Sequence, residues 1–184
     1  MVYTGVLSAI AIVLLMFLEF PVIPGGSLKI DASDLPAAVA GVMMGPAAAV
    51  TVEFVKVLIH LLVRGVGDTM GFGDFMNFLV GVAMTVPFSI VFRSLSRRGV
   101  NGYLTLLAAG VSGMAAMVAA GVIGNYFIAP PYFEFYVHIK LTSAALWAYI
   151  GSATILNVLK SVLVTVLMLP VIKAFKKRFA QFKD

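Results

Sequence analysis

Residues 148–172 read AYIGSATILNVLKSVLVTVLMLPVI. At about 1.5 Å per residue, this run is long enough to cross the roughly 30 Å hydrocarbon layer of a bilayer. Its one charged group, Lys160, lies near its centre, and a basic flank follows: Lys173, Lys176, Lys177, Arg178 and Lys183. An apolar span closed by lysines reads as a membrane helix whose end faces the cytoplasm. The rest of the chain agrees. Of 184 residues, 61% are hydrophobic and only 11% charged, the charged share being about half that of a water-soluble domain. Mean hydropathy is +1.06. A soluble core of this size cannot enclose so much apolar surface, whereas a bilayer can. The expected fold is an all-α membrane protein, one transmembrane domain over residues 1–184.

Glycine and proline divide the chain into six helical segments, expected at about 3–20, 34–44, 47–63, 74–92, 103–129 and 148–172. The first has no basic residue before it and no small-residue cleavage site after it, so it reads as a membrane helix and not as a removed leader. Pro21 and Pro24-Gly25-Gly26 keep residues 21–33 irregular. Ser33 or Asp34 then caps the second segment, with Pro36 tolerated in its first turn. That segment spans only about half a bilayer and forms a hairpin with the third across Gly45-Pro46. Residues 65–73 are a glycine-rich loop. Pro130-Pro131 ends the fifth segment, and 132–147 form a mixed polar and aromatic loop. With six crossings and both termini cytoplasmic, eight Lys/Arg lie inside, and only Lys29, Arg64 and Lys140 lie in outer loops. An odd number of crossings would put one basic cluster outside, against the positive-inside rule.

Polar residues inside apolar segments carry the chemistry. A lysine at the centre of a membrane helix costs about 2.5–3.5 kcal/mol and marks a functional site more often than not. Asn157 lies three residues before Lys160 on the same helical face. Asn125, near the outer end of the fifth segment, both donates and accepts hydrogen bonds; alone it reads equally well as interhelical glue. Glu53, Lys56, His60 and Arg64 share one face of the third segment. They read first as a neutralised polar stripe buried in the bundle, with a proton relay as the sharper alternative. Asp34 reads first as a cap or helix-dipole partner. Gly5 and Ala9, like Ala116, Ala120 and Gly124, stand at the four-residue spacing that lets helices approach closely.

Several function classes fall away. There are no cysteines, hence no disulfides, thiolate metal sites or cysteine nucleophile. Two histidines and scattered acids make a poor metal site. The net charge of +5 follows the membrane flanks and does not signal nucleic acid. Without a G-x-x-x-x-G-K-[ST] loop the chain does not hydrolyse ATP by the usual route, and neither G-x-S-x-G nor H-E-x-x-H occurs. No enzyme activity and no cofactor are expected.

The run Leu28-Lys29-Ile30-Asp31-Ala32-Ser33-Asp34-Leu35-Pro36-Ala37, followed by Gly45-Pro46, resembles the substrate-binding subunits (S components) of energy-coupling factor (ECF) vitamin importers, most of all the riboflavin-specific type. Asn157-Val158-Leu159-Lys160 is similar to that type's Asn-x-x-Lys in the last helix. Asn125, before Tyr126-Phe127 and a proline-marked helix end, is similar to its asparagine in the fifth. The resemblance covers essentially the whole chain. It implies a multi-pass protein of a prokaryotic plasma membrane that captures riboflavin from outside and works with a membrane scaffold protein and two ATPases. It implies ring-edge contacts from Asn125, Asn157 and Lys160, contacts to the sugar-like tail from Lys29 and Asp31, and the 21–33 loop as a lid. Scaffold docking in that family uses Ala-x-x-x-Ala in the first helix; here the place reads Gly5-x-x-x-Ala9, which keeps the smallness and changes the register residue. Two alternatives stand beside this reading: an S component for another vitamin, of pantothenate or folate type, or a membrane assembly protein whose polar residues only join helices.

Overall fold

The computed structural model describes residues 2–21, 29–65 and 70–174. Among them are six helices: α1 (Val2–Phe17), α2 (Asp34–Met44), α3 (Pro46–Arg64), α4 (Phe72–Arg97), α5 (Gly102–Phe135) and α6 (Ser143–Ala174). Four of these, α3 to α6, are long and apolar enough to cross a membrane, while α1 and α2 are shorter apolar helices. A two-stranded ribbon, β1 (Phe20–Pro21) antiparallel to β2 (Lys29–Ile30), joins α1 to α2, with Phe20 opposite Ile30. The rest of the proposed lid, residues 22–28, lies outside the described residues.

The helices alternate in direction. At one end Thr4 of α1 reaches Met44 of α2, and the Arg93 guanidinium of α4 donates to the Val42 carbonyl of α2 at 2.9 Å. At the other end Arg64 of α3 donates to the Met16 carbonyl of α1 at 2.6 Å. The α2–α3 hairpin turns on Gly45 alone. Its φ of 109° lies where a side chain is strained, and its N–H closes α2 on the Gly41 carbonyl at 2.9 Å.

Polarity is inverted relative to a water-soluble bundle. Ile10, Val13, Phe54, Leu58, Val111, Ile155 and Val162 point outward, while Asp34, Glu53, Lys56 and Lys160 are buried. The apolar core runs through Val42, Met84, Phe88, Met117, Val164 and Met168, from α2, α4, α5 and α6. Outward side chains of this kind suit lipid as the surrounding solvent.

Four expected boundaries differ by three residues or more. α1 ends at Phe17 and not at Phe20, which pairs in the β1–β2 ribbon. Pro130-Pro131 does not end α5, which continues to Phe135. Tyr132 stacks on Phe72 with ring centroids 4.4 Å apart, and Phe133 packs edge-on against Tyr149. This packing holds the helix past prolines that a membrane helix tolerates. The loop after it is correspondingly short, because α6 already begins at Ser143. α4 runs on to Arg97, so Arg93 lies on a helix and not in a loop.

Candidate functional site

α2 begins at mid-height in the bundle, beside the centres of α3 and α6. Asp31 shapes the entry: its Oδ1 accepts the Ser33 N–H at 2.7 Å, an Asx turn that steers the chain into the helix. Ser33 is the N-cap, but its side chain makes no capping bond. Asp34, in the first turn, is not a cap. Both its oxygens face lysines from other helices: Oδ1 accepts a hydrogen bond from Lys56 at 2.7 Å and Oδ2 is ion-paired with Lys160 at 3.0 Å. The positive end of the α2 dipole favours a carboxylate here as well.

Around Lys160, 6% exposed, stand three oxygens: Asp31 Oδ2 at 3.1 Å and Asp34 Oδ2 at 3.0 Å as ion-pair partners, and Asn77 Oδ1, which accepts its hydrogen bond at 3.4 Å. Lys56 is fully buried and donates to Asp34 Oδ1, to Ser33 Oγ at 3.1 Å and to Asn77 Oδ1 at 3.3 Å, and it is ion-paired with Glu53 Oε2 at 2.6 Å. Three carboxyl groups and two ammonium groups thus share one enclosed volume. Burial works against ionisation of Asp31, yet the charges of Lys160 and Lys56 outweigh it and hold this carboxyl down at about 2. The Glu53 carboxyl fits only because residue 81 is glycine; a β-carbon there would stand 2.6 Å from its Oε2.

The two asparagines singled out from the sequence come together at one backbone position. Asn125 is buried and its Nδ2 donates to the Gly121 carbonyl at 2.8 Å. The Nδ2 of Asn157 fills the space a β-carbon on Gly121 would need. Asn157 stands one turn from Lys160 on α6, so two amides and an ammonium line one inner region of α5 and α6. The start of α4 and the end of α5 leave an open groove of about 360 Å³ whose lining includes Phe72, Phe75, Tyr132, Phe135 and Tyr136. Such aromatic walls suit a flat apolar ring.

Lys29 is not part of the cluster. It sits on β2 with a half-exposed side chain and pairs with Glu19 at 2.9 Å, a carboxylate that also receives Arg64 at 3.2 Å. The expected stripe on α3 is therefore split. Glu53 and Lys56 join the buried cluster, His60 Nδ1 pairs with Asp74 at 2.6 Å, and Arg64 reaches the rim. Gly5 and Ala9 lie exposed on α1, away from the cluster, and nothing lies within 4 Å of where a Gly5 β-carbon would stand. Asn77, which links both lysines, was missed in the sequence. Its signal was the one that marked Asn125, an amide inside an apolar segment.

Residues 1–172 match the family model described as the ECF transporter, substrate-specific component. Riboflavin transporter FmnP of Bacillus subtilis is 32% identical over 171 residues, covering 90% of this chain and 86% of its own. Riboflavin transporter RibU of Staphylococcus aureus is 30% identical over 168 residues, covering 90% and 84%. Among solved structures, one described as the S component of a bacterial ECF transporter aligns with a TM-score of 0.72 at 24% identity. It covers 96% of this chain and 94% of that one, and at this identity it speaks for the fold.

Proposed function

The chain belongs to the family of substrate-specific components of ECF transporters, and from that premise we propose that its ligand is riboflavin. A transporter component is not an enzyme, and four spans long enough to cross a bilayer fit a multi-pass protein of the cell membrane. The observation that carries the ligand is the meeting of Asn125 and Asn157 at Gly121, one turn from Lys160. The edge of a flavin ring alternates carbonyls with nitrogens, which two amides and an ammonium match as donors and acceptors. A buried site of this kind rejects analogues that leave its polar atoms unpaired. The names of both riboflavin transporters at 30% identity or more support the same ligand.

In this reading Asn125, Asn157 and Lys160 take the ring edge, while aromatic side chains of α4 and α5 cover its faces. Asp31 and Lys29 face the sugar-like tail, and the 21–33 connection closes over it from outside. All six helices count as crossings, α2 as a half-span, and both termini face the cytoplasm, as the eight basic residues at that end favour. The chain delivers the vitamin with a separate scaffold protein and two ABC ATPases, and Gly5 and Ala9 on the exposed face of α1 form the docking contact. Riboflavin itself is cargo, not a cofactor.

The test is optical. The protein is purified in detergent and its visible absorption recorded, then riboflavin is titrated against it while Trp147 fluorescence is followed. A flavin band that survives gel filtration, or saturable quenching, supports riboflavin. Saturating riboflavin that leaves both signals unchanged refutes it and turns attention to other vitamins.

A further inference from the structure

The two buried lysines share two acceptors and share them unequally. Lys56 holds Asp34 at 2.7 Å and Glu53 at 2.6 Å. At the two shared acceptors Lys160 stands farther off, 3.0 Å from Asp34 and 3.4 Å from Asn77, against 2.7 and 3.3 Å for Lys56. Asp34 and Asn77 each serve both ammonium groups. Lys56 is fully buried and its three N–H groups are taken by Ser33, Asp34 and Asn77, so it has nothing left with which to bind a ligand. A carboxylate shared between two cations offers only one oxygen to each. With the second cation gone, both oxygens turn to the cation that remains.

We propose that Lys56, through Asp34 and Asn77, is a positioning residue for Lys160: by taking the tight share of these acceptors it leaves the Lys160 ammonium loosely held and free to hand one N–H to the ligand. The inference rests on the riboflavin reading, in which Lys160 touches the flavin ring. Without Lys56, Asp34 and Asn77 close on Lys160 and draw it away from the face it shares with Asn157. The cation nearest the cluster's centre thus sets ligand affinity without contacting the ligand.

The experiment compares the visible absorption band of bound riboflavin, at saturating ligand, in wild type, Lys56→Met and a distant core variant, Leu106→Ala near the start of α5, with Lys160→Met as the control in which no bound band is expected. A hydrogen bond from Lys160 to the ring shifts that band, whereas a loss of stability lowers the bound fraction and leaves the band of the bound species in place. Lys56→Met is expected to weaken binding about tenfold or more, as for a lost hydrogen bond from a charged group. Its bound band moves towards that of free riboflavin, and Leu106→Ala keeps the wild-type band. A wild-type band at saturation in Lys56→Met overturns the inference even where affinity falls. The paired variant Lys56→Met/Glu53→Gln removes one cation and one carboxylate together and preserves the charge balance. It is read by the same band should the single variant not fold, and a wild-type band there overturns the inference equally. Absence of binding in the wild type defeats the riboflavin reading instead, and a wild-type bound band in Lys160→Met removes Lys160 from the site and overturns the inference with it.

Discussion

Oδ2 of Asp34, the first residue of α2, lies 3.0 Å from the ammonium of Lys160 at the centre of α6. The pair joins the shortest helix to the last one, and both side chains are almost fully enclosed. A buried ion pair adds little net stability, but removing one partner leaves an uncompensated charge. Lys160 is therefore at once a candidate ligand contact and a structural counter-ion.

Lys160→Met should for this reason do two things. It should destabilise the protein by about 3–5 kcal/mol, the usual cost of breaking a buried pair, and it should abolish riboflavin binding. Adding Asp31→Asn removes one stranded carboxylate and should restore part of the stability without restoring binding. Thermal unfolding in detergent and riboflavin titration of both variants measure the two effects separately. Full recovery of binding in the double variant would exclude Lys160 from the site.

Gly121→Ala should separate binding from stability the other way. The new methyl meets the Nδ2 of Asn157, the end of a side chain that can swing aside. Unfolding temperature should change little, while riboflavin affinity falls about tenfold or more through the displaced amide. Equal affinity in the variant would show that Asn157 is not held at Gly121 for the ligand.

Gly81→Ala should harm the fold itself. Its methyl meets the Glu53 carboxyl, which is fixed by Lys56 and fully buried, so neither side can yield. A cost of about 1–3 kcal/mol follows from overpacking. In a Glu53→Ala background the same substitution should cost much less, and a double-mutant cycle on unfolding reads the difference.

Asp31 gives the pH dependence. Its carboxyl is held below the ordinary value of 3.8, at about 2, so the folded state binds its proton less readily than the unfolded chain. The stability this contributes is complete above 3.8 and is lost as pH falls towards about 2. Wild type should exceed Asp31→Asn by a constant margin from neutral pH down to that window, and the margin should shrink within it. A margin that already declines near neutral pH would mean that another group dominates.

The helices were legible because apolar runs, glycines and prolines are local signals. α2 occupies Asp34–Met44, bounded by Ser33 and Gly45, both readable in the sequence. The ends of α5 and α6 were not legible, because Tyr132 on Phe72 and Phe133 on Tyr149 are contacts between distant stretches, and these override the proline rule. The same division runs through the site. Lys160 stood out by the cost of placing a charge in a membrane helix, but its partners come from α2, α4 and the turn before α2. Asp34 read as a cap because an acid at a helix start satisfies a local rule, whereas the structure uses both its oxygens at long range. Asn77 carries the same local mark as Asn125, an amide inside an apolar segment, but Gly121 carries none.

The half-length of α2 also bears on how the protein is made. Its 11 residues span about 16 Å, too little to partition into a bilayer unaided, and its leading Asp34 adds a penalty of about 2.5–3.5 kcal/mol at the centre. The neutralising cation, Lys56, is carried by the very next helix, one glycine turn away. α2 and α3 thus carry Asp34 and its Lys56 counter-ion on one hairpin, and the second helix is expected to integrate only once the third has been synthesised.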